Sequence, residues 1–363
     1  LYLCLKGLDS LRSLRSEMKN NPQNLQRANL IECGVSTISD AFLRYPIALV
    51  QRLYQMLLAK ASLPEVEEFR ELGRLTICDS SLFPMSIRAF WAVYKKYAHG
   101  LKMHLCFSLN AMLPVCFLTT NGKGDDRKGL RELIEAGVTY IADRGYIAFD
   151  LFFEIVQLCA FFIIRSRKNL RYQVQQTLTV NLPEAVRYIF LVVTDEWVIF
   201  DGDRHRQVYR RISFRTRQKF FILITNRLDL TTYDIIKLYC FRWQVELFFR
   251  YLKQTLQAKQ LLNLSEAGVA IHFYLVLIAH LLLVIFKYQQ QQLFMFQQEE
   301  YQQAREEQGK RQTTEGIVFH NTEDFVATIG KTIPRCFKIT KHERQAIRDA
   351  LLQRTVQLKF AFI

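Results

Sequence analysis

An apolar run of twenty residues, from Ala267 to Phe286, constrains the fold of this chain more than any other feature. A helix of that length must be removed from water, either in a protein core or in a bilayer. His272 and His280 interrupt the run, and the sequence has no second run of this kind. We therefore expect a buried core helix and no membrane attachment, with a transmembrane or interface helix as the alternatives.

The chain is strongly basic. Its 363 residues include 49 Lys and Arg against 34 Asp and Glu, a net charge of +15. This excess favours a polyanionic partner, with nucleic acid first and an anionic membrane surface second. A hydrophobic content of 50% excludes a disordered chain. The eight cysteines are scattered without a Cys-x-x-Cys pair, so we expect neither a zinc module nor disulfides, and a reducing, cytoplasmic setting.

The pattern of short apolar runs predicts an α/β fold with a mixed sheet. Residues 1–70 have helical spacing and form a helical N-terminal region, which we expect to be truncated upstream because the chain begins at Leu1 without a signal peptide. We predict strands at 75–78, 102–109, 113–119, 138–142, 161–165 and 220–225, and helices at 126–136, 148–158 and 232–257.

Residues 166–218 interrupt this alternation with short β-type runs at 178–180, 188–193 and 197–200, and we interpret them as a β-rich, basic insertion. The predicted domains are therefore a catalytic core in two parts, 71–165 and 219–288, separated by that insertion. Residues 289–363 form a C-terminal helical region of unknown role, which begins with a Gln-rich stretch.

Several enzyme classes are excluded by missing motifs. Gly122-Lys123-Gly124 lacks the spacing of a phosphate-binding loop and is typical of a turn. The sequence has no G-x-G-x-x-G, no G-x-S-x-G and no H-E-x-x-H. Its seven histidines are dispersed, so we expect no imidazole-based metal site.

Two aspartates follow predicted strands. Asp79 comes after the strand at 75–78 and Asp143 after the strand at 138–142, and the ends of strands in open α/β sheets are where ligands bind. Taken singly, each is also typical of a turn or helix cap. Together with the helical Glu246, they form a set of hard oxygen donors that suits Mg²⁺ or Mn²⁺ and phosphoryl transfer.

Glu246 lies in a segment with a polar and an apolar helical face. The polar stripe combines one carboxylate with a tyrosine and cations at steps of three and four residues: Tyr239, Arg242, Glu246, Arg250 and Lys253. An ordinary solvated face with i,i+4 ion pairs would have the same pattern. The two aspartates favour the functional interpretation.

The spacing Tyr239-x2-Arg242-x3-Glu246-x6-Lys253 resembles the Y-R-E-K signature of bacterial insertion-sequence transposases of family four, which belong to the DDE class. Asp79 in TICDSSLF and Asp143 in YIADRGY resemble the two catalytic aspartates of that class. The resemblance covers about residues 70–285, and more loosely Ser36 to Leu58.

This resemblance implies a ribonuclease H-like catalytic core interrupted by a β-rich insertion domain. It implies a homodimer that binds double-stranded DNA at the terminal inverted repeats, frees a 3′-hydroxyl and joins it to target DNA. Asp79, Asp143 and Glu246 would be the catalytic metal ligands for Mg²⁺ or Mn²⁺. Tyr239, Arg242 and Lys253 would hold DNA phosphates, and Arg250 and Arg144 are further candidates for DNA contact.

Two other functions remain open at this point. One is a catalytically decayed, DNA-binding remnant of a transposase, and the other is a ribonuclease H-like nuclease without strand transfer. Nearly half of the excess charge lies in residues 144–227, which hold fourteen Lys and Arg against seven Asp and Glu. We expect the arginines of this segment to grip the DNA backbone: Arg165, Arg167, Arg204, Arg206, Arg210, Arg211, Arg215 and Arg217.

Overall fold

The protein is described here by a computed structural model. It describes residues 8, 10–27, 31–61, 63–95, 98–187, 190–216, 219–254, 256, 258–259 and 261–306. The chain divides into two compact units. The sheet unit consists of Pro64–Phe249, and the helical unit combines Leu1–Leu63 with Arg250–Ile363. The division falls inside one helix.

The sheet unit is built on a ten-stranded mixed sheet. Its strands are β1 (Arg74–Met85), β2 (Val93–Lys95), β3 (Ala98–Ser108), β4 (Leu113–Asn121), β5 (Val138–Ala142), β6 (Phe161–Arg165), β7 (Tyr172–Thr177), β8 (Leu191–Phe200), β9 (Val208–Arg215) and β10 (Phe220–Thr225). Within the described residues the order is β2-β3-β1-β5-β6-β10-β9-β8-β7, and β4 pairs with β3. The pairs β1–β5 and β5–β6 are parallel, and the other pairs are antiparallel. The predicted mixed α/β fold is confirmed.

The inner strands match their predictions because they are mostly apolar and mostly buried. All five residues of β5 are buried, and β5, β6 and β10 have the predicted bounds. Two helices connect this region, α5 (Asp126–Arg131) and α6 (Phe149–Gln157). The side chains of α6 pack on the sheet, with the ring of Phe152 stacked 4.3 Å from that of Phe162.

The predicted ends of β1 and of the helix that begins at Asp126 were wrong. β1 does not end at 78 but runs to Met85, because its polar second half, from Asp79 onward, continues to pair with β3. Asp79 therefore lies within a strand and not at its end. The helix predicted at 126–136 ends at Arg131, where the hydroxyl of Tyr140 accepts from the N–H of Glu135 and donates to the carbonyl of Leu133.

The segment 166–218 is β-rich as predicted, but β7, β8 and β9 are hydrogen-bonded to the rest of the same sheet. Residues 178–180 form no strand. From Leu191 onward, β8 unites the runs predicted at 188–193 and 197–200; residue 190 is not part of it, and residues 188–189 lie outside the described part. The segment extends the sheet by antiparallel pairing, from β10 outward to β7.

Two of its arginines are structural. Arg210 is 5% exposed and forms a two-pronged ion pair with Asp195 on the neighbouring strand. Arg211 is 9% exposed, contacts Glu196 at 2.9 Å and lies over the ring of Tyr172. The expectation that these two arginines grip DNA is therefore wrong, because both side chains are already buried in the sheet. Arg167, Arg204, Arg206 and Arg215 are exposed, and Arg217 lies outside the described residues.

The segment predicted as one helical face consists of two helices, α7 (Thr232–Cys240) and α8 (Trp243–Gln254). A capping box between Thr231 and Asp234 begins α7. At the end of α7 the backbone N–H groups donate to the carbonyl three residues earlier. One of these hydrogen bonds joins the N–H of Arg242 to the carbonyl of Tyr239. The ring of Phe241 packs edge-on against Phe69, which anchors the turn in the sheet unit. Tyr239 and Glu246 therefore lie on different helices.

The helical unit contains α1 (Leu11–Asn20), α2 (Pro22–Arg27), α3 (Val35–Arg44), α4 (Ile47–Lys60) and α9 (Glu266–Glu306). The apolar run forms the first half of α9, which packs on α3 and α4, with the ring of Tyr54 against that of Tyr274. Among the described residues, Glu266–Gln290 is the one stretch long and apolar enough to span a membrane, and most of it is buried. The prediction of a core helix is confirmed. Residues 307–363, most of the predicted C-terminal region, lie outside the described part.

Candidate active site

The pairing of β1 with β5 brings the two predicted aspartates together. Ile77 is the partner of Ile141 in this parallel pair. The same offset of 64 residues places Asp143, the first residue after β5, beside Asp79. The two carboxylates therefore come from neighbouring strands at the same level of the sheet.

A tight turn holds the side chain of Asp143. Its Oδ1 accepts a hydrogen bond of 2.7 Å from the N–H of Gly145, within the 3-10 turn Arg144–Tyr146. A Cβ at position 145 would lie 3.0 Å from that Oδ1, so the close approach favours glycine. Arg144 is exposed in the same turn.

Asp79 is a half-buried carboxyl with a perturbed pKa. Burial raises its pKa to about 6, and the charges of Asp143 and Glu246 add to this rise. The Ser80 N–H, which donates to Oδ1 at 2.8 Å, and the charge of Arg242 act in the opposite direction. Asp143 and Glu246 thus both lie within electrostatic range of Asp79, and a nearby positive charge favours the carboxylate form of Asp79.

That positive charge comes from Arg242, in the turn between α7 and α8. Its Nη2 donates to Glu246 Oε1 at 2.5 Å, and its Nη1 lies 3.9 Å from Asp79 Oδ2. The guanidinium is 17% exposed. Arg242 therefore bridges two of the predicted metal ligands.

Tyr239, at the end of α7, is buried and interacts with this arginine. Burial raises the pKa of its hydroxyl, while the charges of Arg242 and Arg165 and a hydrogen bond with Arg242 oppose the rise. Its contact with Arg242 gives Tyr239 a role in positioning the guanidinium.

Arg250 and Lys253 belong to the helical unit, on the continuation of α8. Burial lowers the pKa of Lys253, and the nearby Lys259 adds to this effect. Their assignment as DNA contacts stays a prediction. Trp243, beside Arg242, is 43% exposed.

A fourth carboxylate, Asp126, was missed by sequence reasoning. Its Oδ1 lies 3.1 Å from Lys102 Nζ and 3.4 Å from His104 Nδ1, both on β3. Burial raises its pKa, but hydrogen bonds from His104, Ser80 and Lys102 outweigh that effect and bring the pKa to about 2. Its Oδ2 also lies 4.0 Å from the point where a Gly145 Cβ would be. Asp126 therefore links Ser80, the neighbour of Asp79, to the turn that holds Asp143.

The donor set of the site fits a hard divalent cation. Its ligands are carboxylate oxygens, which Mg²⁺ and Mn²⁺ prefer. A guanidinium between Asp79 and Glu246 shows that these two side chains already share one positive group. In the described part of the chain, no three carboxylate, histidine or cysteine side chains yet lie close enough together to hold a metal ion. The carboxylates would have to draw together around it.

The sequence matches the model of the transposase DDE domain over residues 71–282, which is more than half of the chain. The chain belongs to the transposase DDE domain family. A protein of Sinorhizobium fredii named as transposase y4zB is 28% identical over 263 residues, which cover 71% of this chain and 73% of that protein. A protein of Geobacillus stearothermophilus named as the transposase for insertion sequence element IS5377 is 25% identical over 251 residues, or 68% of this chain and 66% of that protein.

Membership of this family confirms the coarser predictions from sequence. The family match and the two relatives support a bacterial insertion-sequence transposase, and the family suggests DNA as its partner. DDE transposases generally work with divalent metal ions. The matched region contains Asp79, Asp143, Glu246 and the cations around them.

Proposed function

We propose that this transposase belongs to insertion-sequence family four and that Asp79, Asp143 and Glu246 are its catalytic triad. It binds the terminal inverted repeats of its element as double-stranded DNA, cleaves a strand to free a 3′-hydroxyl, and joins that hydroxyl to target DNA. The observation that carries the proposal is the contact of Asp79 and Glu246 with one guanidinium, together with the charge of Asp143, which acts on Asp79 from the end of the neighbouring strand β5.

The roles of the side chains follow from their chemistry. The three carboxylates would hold Mg²⁺ or Mn²⁺. When bound, such ions activate a water or a 3′-hydroxyl and stabilise the leaving oxygen of an in-line displacement. The planar guanidinium of Arg242 suits a two-pronged contact with a phosphate, which orients the scissile bond. Arg144, in the turn after Asp143, would hold the adjacent DNA backbone.

Two further cations of the signature follow Glu246 along the chain. Lys253 lies seven residues, or about two helical turns, after Glu246 on the same helix, and Arg250 lies one turn after Glu246. We propose that both contact terminal phosphates, as the family resemblance implies. Exposed arginines of the segment 166–218, such as Arg204 and Arg206, would contribute further backbone contacts.

The strand arrangement supports a ribonuclease H-like core. In the sheet, β1 lies between an antiparallel meander of β3 and β4 and the parallel strands β5 and β6, and it carries Asp79. We propose that 71–165 and 219–288 form this core and that 166–218 is inserted into it. We further propose that the transposase acts as a homodimer on DNA, in the cytoplasm.

The decisive experiment uses the purified chain, Mg²⁺ and a labelled DNA duplex that carries the inverted repeat flanking its own gene. We expect nicking at the repeat end, followed by joining to a target duplex. Glu246→Gln should abolish nicking and leave DNA binding within about twofold. Glu135→Gln, at an exposed ion pair with Arg74, removes the same charge elsewhere in the sheet unit and should nick at the parent rate.

Other outcomes would favour different functions. Binding of the repeat without nicking by the parent chain would indicate a catalytically decayed remnant. Nicking without joining would indicate a ribonuclease H-like nuclease. A Glu246→Gln variant that nicks as fast as the parent would show that the assignment of the catalytic carboxylates is wrong.

A further inference from the structure

Arg242 occupies an unexpected position for a DNA ligand. Instead of projecting into solvent, its guanidinium lies between two carboxylates, 2.5 Å from Glu246 Oε1 and 3.9 Å from Asp79 Oδ2. Only 17% of the side chain is exposed. Its backbone is fixed in the turn between α7 and α8 by the bond from its N–H to the carbonyl of Tyr239. The side chain is long enough to swing while the backbone stays in place.

A guanidinium and a divalent cation compete for this position. Each needs the lone pairs of Asp79 and Glu246, and Mg²⁺ requires its oxygen ligands at about 2.0–2.1 Å. An ion held by both carboxylates would therefore come within a few ångströms of Arg242, and two positive groups at that distance repel each other strongly in a half-buried site. The Asp143 carboxylate instead accepts a hydrogen bond from the Gly145 N–H.

We propose that Arg242 closes the metal site and that a DNA phosphate opens it. The phosphate offers the guanidinium a better partner, since an Arg–phosphate pair forms two parallel charge-assisted hydrogen bonds. When Arg242 turns to the phosphate, Asp79 and Glu246 become free to hold the cation. Metal binding and DNA binding thereby become positively coupled, and the same factor must act in both directions. This inference rests on the proposed role of the three carboxylates as metal ligands.

The coupling has a functional consequence. A transposase that assembled its metal site without DNA would carry a reactive centre ready to cut any strand. With Arg242 between the carboxylates, the metal site becomes complete when a phosphate is in place to be cleaved. One side chain then links substrate binding to the assembly of the catalytic centre.

The test measures binding of Mn²⁺ alone to the full chain, by the electron paramagnetic resonance signal of the free ion. Without DNA, Arg242→Gln should bind Mn²⁺ about tenfold more tightly than the parent. Arg88→Gln removes the same charge from an exposed position elsewhere in the sheet unit and should change the affinity less than twofold. A comparison of the two separates loss of the competing guanidinium from loss of net charge.

A second measurement needs only the parent chain and Glu246→Gln. Mn²⁺ bound by DNA itself is removed as background by repeating the titration with Glu246→Gln and the same duplex. Addition of inverted-repeat DNA should tighten the remaining Mn²⁺ binding of the parent about tenfold. If Arg242→Gln does not fold, judged by thermal unfolding, this comparison alone decides.

The outcomes distinguish failure of the inference about Arg242 from failure of the proposed function on which it rests. Mn²⁺ binding that depends on Glu246 but is unchanged by both DNA and Arg242→Gln would overturn the inference and leave the proposed triad intact. Mn²⁺ binding that is unaffected by Glu246→Gln and by Asp79→Asn would overturn the metal assignment itself. Tighter binding by Arg242→Gln, together with tightening of the parent by DNA, supports both.

Discussion

Replacement of Arg210 by methionine should destabilise the fold without weakening the electrostatic attraction to DNA. Arg210 Nε donates to Asp195 Oδ1 at 2.9 Å and Nη2 donates to Oδ2 at 2.6 Å. A third guanidinium nitrogen donates to the carbonyl of Leu230. Without the guanidinium, Asp195, which is 0% exposed, keeps the hydroxyl of Thr232 as its remaining side-chain donor.

The expected loss of stability follows from the burial of this ion pair. Breaking a buried ion pair by removing one partner costs about 3–5 kcal/mol, because it leaves an uncompensated charge away from water. A domain of 150–250 residues, the size class of the sheet unit, loses roughly 2–4 °C of Tm per kcal/mol. The expected fall in the Tm of the sheet unit is therefore about 6–20 °C.

Arg204→Met is the matched control. The Arg204 side chain is 73% exposed and pairs with Asp150 on the surface, so its loss should change stability by less than about 1 kcal/mol. Thermal unfolding measures the change in stability. The slope of log DNA affinity against log salt concentration measures the loss of DNA contacts, and loss of one phosphate contact lowers the magnitude of this slope by about 1. We expect Arg210→Met to lower only Tm and Arg204→Met to lower only the salt slope. An Arg210→Met protein with unchanged Tm and a reduced slope would refute the structural role of this arginine.

Two further predictions concern titratable groups outside the metal ligands. Burial lowers the pKa of His272 to about 4 and that of His280 to about 3, so below pH 6.5 the unfolded chain binds protons that the folded chain excludes. The free energy of unfolding should be constant above that pH and fall on acidification by up to about 1.4 kcal/mol per pH unit for each histidine. The measurement is Tm between pH 7.5 and 5. The double variant His272→Phe/His280→Phe should lose this pH dependence. Asp126→Asn removes the charge that Lys102 and His104 face, which should cost about 1–3 kcal/mol in urea unfolding and slow nicking. Nicking at the parent rate in a destabilised Asp126→Asn protein would show that Asp126 supports the fold alone.

The sequence predicted the inner strands well because a strand that is buried on both faces is a short run of mostly apolar residues. β5, β6 and β10 consist mostly of apolar residues and have the predicted bounds. β1 shows the limit of this signal. Its second half contains Asp79 and two serines, and its pairing with β3 compensates for this polarity. A strand that carries a site breaks the pattern by which strands are recognised.

Side-chain partners across the sheet were beyond sequence reasoning. Arg210 and Asp195 are fifteen residues apart and meet only because β8 and β9 pair in one register. By charge count alone, such an arginine cannot be told from one that faces DNA. Asp126 presents the same difficulty: its sequence context indicates a helix start, and its proximity to Ser80 and Gly145 depends on tertiary packing.

The interpretation of the signature as one helical face was wrong. On one continuous helix, Tyr239, Arg242 and Glu246 would share a face, all equally available to a ligand. The turn after Cys240 instead leaves Tyr239 buried at the end of α7, places Arg242 between the helices, and starts α8 three residues before Glu246. Because Arg242 contacts both Tyr239 and Glu246, the motif forms a chain of contacts and not a stripe. A change at Tyr239 would therefore reach the carboxylates through the position of Arg242.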